Sequence, residues 1–315
     1  MRRKGETPHR PQRRATKPHR WEVFCSPGLA ARRHPCQGGR LVHWRKVDFA
    51  AGWVLAAWLA VASAQAQAAS PPPAASPAGD AGFTVALDPG HGGSNLGAVG
   101  AAGVFEKQLT LDLARRIERR LRERGQIKVV MCRSEDEMVP VRARVRCANQ
   151  AGARLFLSLH ANASPTGAKR GTQRGFELYV LPPKAVAADA RAAAATAPDP
   201  AAAAFLAHRV RASAREAVAA ASRIAWRLGD ALGVDRDRGI KQGGATTDVL
   251  EGLQMPGVLI EVGFLDHPVE GPYIVSEEGR ATVADALVRA IEDQRARERR
   301  GRTDPSVTGR KQPAR

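Results

Sequence analysis

The sequence has little of several things. It holds four cysteines, and two of them, Cys25 and Cys36, lie in the first tenth or so of the chain. Cys132 and Cys147 alone make no disulfide framework, so a cysteine-stapled scaffold is excluded. A disulfide and a buried free pair both remain open for them. Long hydrophobic runs are also missing. The one sustained apolar run, Phe49 to about Ala62, is about 14 residues long, short of the roughly 20 that cross a bilayer. Aromatic residues are 5% of the chain, and no basic-aromatic motif for nucleic acid is present. Acidic residues are scarce beside basic ones, 31 against 49, for a net charge of +18. The excess is uneven: residues 1–66 carry 13 basic and 3 acidic side chains. A nucleic-acid partner is therefore not expected.

What is present suits a folded enzyme. Of 315 residues, 43% are hydrophobic and 25% charged, which excludes collagen-like and wholly disordered chains. Residues 1–46 are rich in Arg, His and Pro without apolar periodicity. Arg45 and Lys46, the short apolar run, and then Ala64-Gln65-Ala66 and Ala66-Gln67-Ala68 describe a secretory signal peptide. Residues 1–68 are thus expected to be a basic leader with an export signal. No Cys follows the cleavage region, so no lipid anchor is expected, and signal removal leaves no stable membrane anchor. Residues 69–82 form a Pro/Ala linker.

From Phe83 to about Gln294, β-rich runs alternate with amphipathic helices. Strands are expected at 83–87, 128–132, 154–159, 176–181 and 258–264, and helices at 109–124, 139–151, 222–232 and 282–294. This alternation predicts a single α/β domain over 83–294 with a mainly parallel twisted sheet and helices on both faces. Residues 182–221 are Ala-rich around Pro198 and Pro200 and read as a helical insertion, two helical pieces separated by a proline break. Residues 295–315 read as a disordered basic tail.

Four histidines remain beyond the leader: His91, His160, His208 and His267. His91 follows a strand in Asp88-Pro-Gly-His-Gly-Gly93, and His160 ends one in Ser158-Leu-His-Ala-Asn162. Ligands of parallel sheets gather outside the carboxyl ends of the strands, so both imidazoles can converge there. Catalytic zinc commonly takes two His and one carboxylate. Glu106 is the candidate carboxylate, although a Glu at a helix start is ordinarily a dipole partner. Glu261 lies inside the apolar Val258-Leu-Ile-Glu-Val-Gly-Phe264. A charge there is costly unless paired or used, and its burial suits a general base acting on water.

These elements resemble the zinc-dependent N-acetylmuramoyl-L-alanine amidases of type 3, which cut bacterial peptidoglycan. The matching segments are Val85–Gly93, Glu106-Lys107, Arg133–Asp136, Arg144 with Ala148-Asn149, Ala153–Asn162, Arg238–Lys241, Val249-Leu250, Met255-Pro256 and Leu259–Leu265, in family order. The resemblance implies one zinc ion held by His91, Glu106 and His160, with Glu261 as catalytic carboxylate. Asp88, Asn162 and nearby backbone are expected to orient the metal shell; the resemblance implies peptidoglycan as partner, and with the export signal the enzyme is expected in the periplasm. By the same resemblance, 182–221 falls where division amidases carry a helix that covers the zinc until an activator protein displaces it. Glu216, the only glutamate there, is then the expected inhibitory ligand. A tolerated insertion is the alternative. Two departures stand out: Asn95 where the family usually has Asp, and Asp266-His267 where it usually has Ser-Asn. A zinc peptidase cutting another amide and a non-catalytic wall-binding relative are the other readings.

Overall fold

The computed structural model describes residues 82–303, apart from 101–102, 168 and 245–246. The expected leader and nearly all of the linker lie outside the described residues. In chain order the elements are β1 (Phe83–Pro89), α1 (Glu106–Glu123), β2 (Ile127–Met131), α2 (Val141–Gln150), β3 (Leu155–Asn162), β4 (Phe176–Val180), α3 (Pro183–Ala195), α4 (Pro200–Leu232), β5 (Asp237–Gln242), β6 (Gly257–Phe264), α5 (Glu270–Val275) and α6 (Glu277–Thr303).

The strands form one six-stranded sheet in the order β2-β1-β3-β6-β4-β5. The first four run parallel. β4 pairs antiparallel with β6, and β5 parallel with β4, so the sheet is mostly parallel with a reversed edge pair. β1 and β6 are buried along their whole length, as expected where both sheet faces are covered. Alternate residues serve the two faces. Val85, Leu87, Leu157 and Ile260 join the larger core with Leu113 and Ile117 of α1, Ile224 and Leu228 of α4, and Leu287 and Ile291 of α6. Ala86, Phe156 and Leu259 face the smaller core with Val145 and Ala148 of α2 and with Val249 and Leu250. Helices therefore cover both faces, as expected.

Two boundaries differ from expectation. The proline break expected in the Ala-rich run lies between α3 and α4, but the second piece, with Pro200 at its first helical position and the Asp199 side chain capping Ala202 N–H at 2.8 Å, runs on through the helix expected at 222–232 as one element, after a favoured start. Nothing in the Ala-rich run then stops α4 until Gly233. The expected disordered basic tail is corrected over 295–303, through which α6 continues; its remainder, 304–315, lies outside the described residues. Arg297 reaches Glu216 Oε2 at 2.8 Å and Glu298 Oε2 accepts from Arg154 Nε at 2.6 Å. Charges that lack apolar periodicity are here held by partners on α4 and beside β3. Among the described residues no helix is long and apolar enough to cross a membrane.

Candidate active site

The carboxyl ends of β1, β3 and β6 bring four of the five expected site residues together. His160 and Glu261 are register partners on β3 and β6. A bulge between His160 and Asn162 ends the regular pairing beside the site, a common place for one. Glu106 opens α1 below them. Its Oε1 lies 2.9 Å from His160 Nδ1 and 3.0 Å from His91 Nε2, and accepts from Ala161 N–H at 3.0 Å. Its Oε2 accepts from Ala98 N–H at 2.8 Å. One ligand atom from each of His91, Glu106 and His160 lies within 4.8 Å of the others.

Electrostatics divide the two carboxyls. Burial alone would raise the Glu106 pKa, but hydrogen bonds from His160 and His91 outweigh it and hold this carboxyl far below the usual range. Burial pulls the His160 pKa down, and the Glu106 hydrogen bond and charge more than reverse it. Glu261 is 6% exposed and its Oε2 has no hydrogen-bond partner among the described residues. Burial, with the negative charges of Glu106 and Glu177 adding, pushes its pKa up to about 7 against the opposing histidines. The two neighbouring carboxyls are thus held apart, Glu106 ionised against the rings and Glu261 able to take up a proton near neutral pH.

The loop carrying His91 is strained and clamped. His91 has φ +61°, the one non-glycine residue with positive φ among the described residues. Conformations of this kind persist where surroundings over-determine them. Two buried arginines do so here. Arg144 of α2 donates to Asp88 Oδ1 at 2.7 Å and to the His91 carbonyl at 2.6 Å. Arg133, just past β2, donates to the carbonyls of Pro89 and Gly90 at 3.1 and 2.9 Å. Two glycines leave room for the cluster itself: a Cβ at Gly90 would lie 2.3 Å from His160 Cε1, and one at Gly97 would lie 2.5 Å from Glu106 Oε2.

Of the expected orienting groups, backbone N–H groups bond Glu106 directly, Asp88 acts through Arg144, and Asn162 bonds no candidate ligand. Asp88 bonds Arg144 and Ser158, and Asn162 donates to Glu177. Asn95 faces the ligand instead, with Oδ1 2.9 Å from His91 Nδ1. The departure at position 95 thus touches a candidate ligand and not only substrate contacts. The Asp266-His267 departure is architectural: Asp266 accepts from Ser164 and Gly171 N–H, and His267 Nδ1 accepts from Glu270 N–H at the start of α5. Glu177, which the sequence reading passed over, is the register partner of Glu261 on β4. It gathers Lys241, Arg238, Tyr179 and Asn162. Against burial, these partners bring its pKa down to about 2. A Glu within the apolar Phe176–Leu181 run was its available signal.

Glu216 does not join the site. Its carboxylate pairs with Arg297 and accepts from Gln294, and it borders a groove with Arg154 and Pro256. Those residues precede β3 and β6. His160 lies six residues further along β3, about 20 Å at 3.3 Å per residue. The expected lid is corrected with it. Because β4 runs against β6, its end, and α3 after it, lie at the amino end of the sheet, where α3 and α4 border Leu253, Met255 and Gly257.

Comparison with known proteins agrees with this geometry. The profile of the N-acetylmuramoyl-L-alanine amidase family of type 3 matches residues 85–293. The amidase LytC of Bacillus subtilis (strain 168) is 29% identical over 67% of this chain. The match spans about a third of the LytC length, 34%. The catalytic domain of CwlV, an N-acetylmuramoyl-L-alanine amidase from Bacillus (Paenibacillus) polymyxa var. colistinus, superposes with TM-score 0.52 at 27% identity, covering 68% of this chain and 98% of that one. An N-acetylmuramoyl-L-alanine amidase from Clostridium difficile 630 gives TM-score 0.54 at 26% identity, covering 68% and 97%. With its mostly parallel sheet and its His-Glu-His cluster at the strand ends, the chain belongs to the type 3 N-acetylmuramoyl-L-alanine amidase family.

Proposed function

We propose that this protein hydrolyses the amide between the lactyl group of N-acetylmuramic acid and the L-alanine of the peptidoglycan stem, using one zinc ion held by His91, Glu106 and His160. The donor set fits the ion. Ligand atoms 2.0–2.2 Å from a tetrahedral zinc lie about 3.3 Å apart, and Glu106 Oε1 is 2.9 and 3.0 Å from the two ring nitrogens. Both rings already turn a nitrogen on one anionic oxygen, the arrangement a divalent cation takes over from protons.

A zinc ion there would acidify water and polarise the scissile carbonyl. The chain's own groups do the rest. Glu261 accepts a proton from the attacking water as the new C–O bond forms. It returns the proton to the leaving nitrogen as the C–N bond breaks. The buried, unpartnered Glu261 Oε2 beside the cluster is the observation that carries this reading, because a structural carboxylate would be paired. Glu177 holds Lys241 and Arg238 at the neighbouring strand. Asn95 and Arg144 set the ring and the backbone of His91, the outer support a metal site needs.

We place the mature enzyme outside the cytoplasmic membrane, in the periplasm, after removal of residues 1–68. There it remodels the wall and separates daughter cells, and a basic surface suits an anionic polymer. The test is digestion of purified peptidoglycan with mass spectrometry of the products, run with zinc, with chelator and with Glu261→Gln. Intact stem peptides released from uncut glycan, and lost in both other arms, are expected. Cuts inside the stem peptide would make the protein a peptidase on the same fold. No cleavage under any condition would refute the enzyme reading.

A further inference from the structure

Cys132 and Cys147 are brought together by the fold and have no part in the chemistry above. Cys132 follows β2 directly and is buried; Cys147 is half-buried on α2 and sits over the end of β2, with Sγ 3.9 Å from the Met131 carbonyl. Cys132 belongs to the smaller core and Cys147 packs against it. Their neighbours in sequence make the pair consequential. Cys132 adjoins Arg133, and Cys147 lies one helical turn after Arg144. These are the two arginines that hold the carbonyls of Pro89, Gly90 and His91.

We propose that Cys132 and Cys147 form a disulfide, by exchange with a small-molecule or protein disulfide, that ties α2 to the end of β2 and so fixes both arginine clamps on the His91 loop. The half-buried Cys147 is the first to react. Its neighbour Cys132 lowers its thiol pKa, while Cys147 and burial raise that of Cys132, and the thiolate is the nucleophile. It attacks one sulfur of the oxidant, forming a mixed disulfide and releasing one thiolate. Cys132 then gives up its proton and attacks Cys147 Sγ, releasing the second. Two protein thiols are oxidised and one disulfide is reduced to two thiols. The exported location proposed above matters only as the place where such an oxidant is met.

The full chain is tested reduced and after incubation with oxidised glutathione. Tryptic mapping should find Val129–Arg133 linked to Cys147–Arg154, and reductant should separate them. Closing this short loop should raise the thermal midpoint by about 5–10 °C, a rise absent from Cys132→Ser and from Cys147→Ser. Hydrogen exchange at residues 89–93 should slow on oxidation in the wild type alone. Both cysteines free, capped separately by glutathione, or linked to Cys25 or Cys36 would overturn the proposal. A 132–147 bond without slower exchange at 89–93 would overturn its connection to the clamps. None of these readouts involves peptidoglycan or zinc, so their failure is distinct from failure of the amidase reading.

Discussion

Gly90→Ala is the sharpest probe of how the site is built. The added Cβ would lie 2.3, 2.6 and 2.7 Å from three atoms of the His160 ring, where ordinary contact begins at 3.4 Å. Something must give by about 1 Å. The backbone of Gly90 is pinned, since its N–H donates to the Leu159 carbonyl at 2.9 Å and its carbonyl accepts from Thr110 and Arg133. The ring therefore moves. Its Nδ1 is 2.9 Å from Glu106 Oε1, so a shift of about 1 Å takes it out of the cluster, whereas a metal site tolerates about 0.2 Å. Loss of an outer partner alone weakens metal binding about 10- to 100-fold. Displacing a ligand should cost at least about 100-fold. Overpacking should also cost the metal-free protein about 1–3 kcal/mol, leaving it folded. The assay is zinc titration against a chromophoric chelator, with urea unfolding in chelator and with Gly301→Ala, whose Cβ meets nothing within 4 Å among the described residues, as the control. A zinc affinity within about threefold of wild type would show that His160 is not a ligand or that the loop yields instead.

Four further outcomes are expected. Activity should rise with pH as Glu261 loses its proton, with a midpoint at or below about 7 because a bound cation lowers it further; a flat profile between about pH 5 and 8 would refute its role as base. Asn95→Asp puts a carboxylate on His91 Nδ1 and should tighten zinc binding by up to about tenfold; weaker binding would sink this. Glu177, ionised in the fold with a pKa of about 2 against an ordinary 4.5, contributes stability that is complete above pH 4.5 and lost as the pH falls towards 2. Wild type should lose up to about 3 kcal/mol more than Glu177→Gln over that range in urea titrations, and equal losses would contradict the assignment. Arg144→Ala leaves buried Asp88 without its cation and should cost about 3–5 kcal/mol, much of it restored by removing Asp88 as well; a loss below about 1 kcal/mol would mean that the clamp is weak.

Much of the site was legible because its signals are local. Two histidines each stood at the end of an apolar run, and a charge inside Val258–Phe264 demanded a use. Strand ends of a mainly parallel sheet converge, so the cluster followed once the alternation of elements was read. The clamps were not legible as clamps. Arg133 and Arg144 look like ordinary surface arginines in sequence, and only the return of β2 and α2 beside β1 turns them onto the carbonyls of 89–91. β5 was missed for a physical reason too: Asp237–Gln242 is the polar outer strand of the reversed edge, exposed or half-exposed along its length, with no apolar alternation to reveal it.

The insertion shows where local reading fails. Its helical character was plain from its alanines and prolines, but its position depended on the direction of one strand. Had β4 run parallel to β6, the chain leaving it would emerge among His91, His160 and Glu261, and a covering helix would follow. The pairing Glu177↔Glu261, Tyr179↔Leu259 sends it the other way, to the amino end of the sheet. There α3 and the middle of α4 find Leu253, Met255 and Gly257, and Glu216 finds Arg297. A carboxylate already bound by a guanidinium, at the far end of the strands, has no route to the cluster without unpacking α4 from α6. Deleting 185–215 should therefore leave wall hydrolysis no faster. A large acceleration would mean that α4 leaves this position in solution.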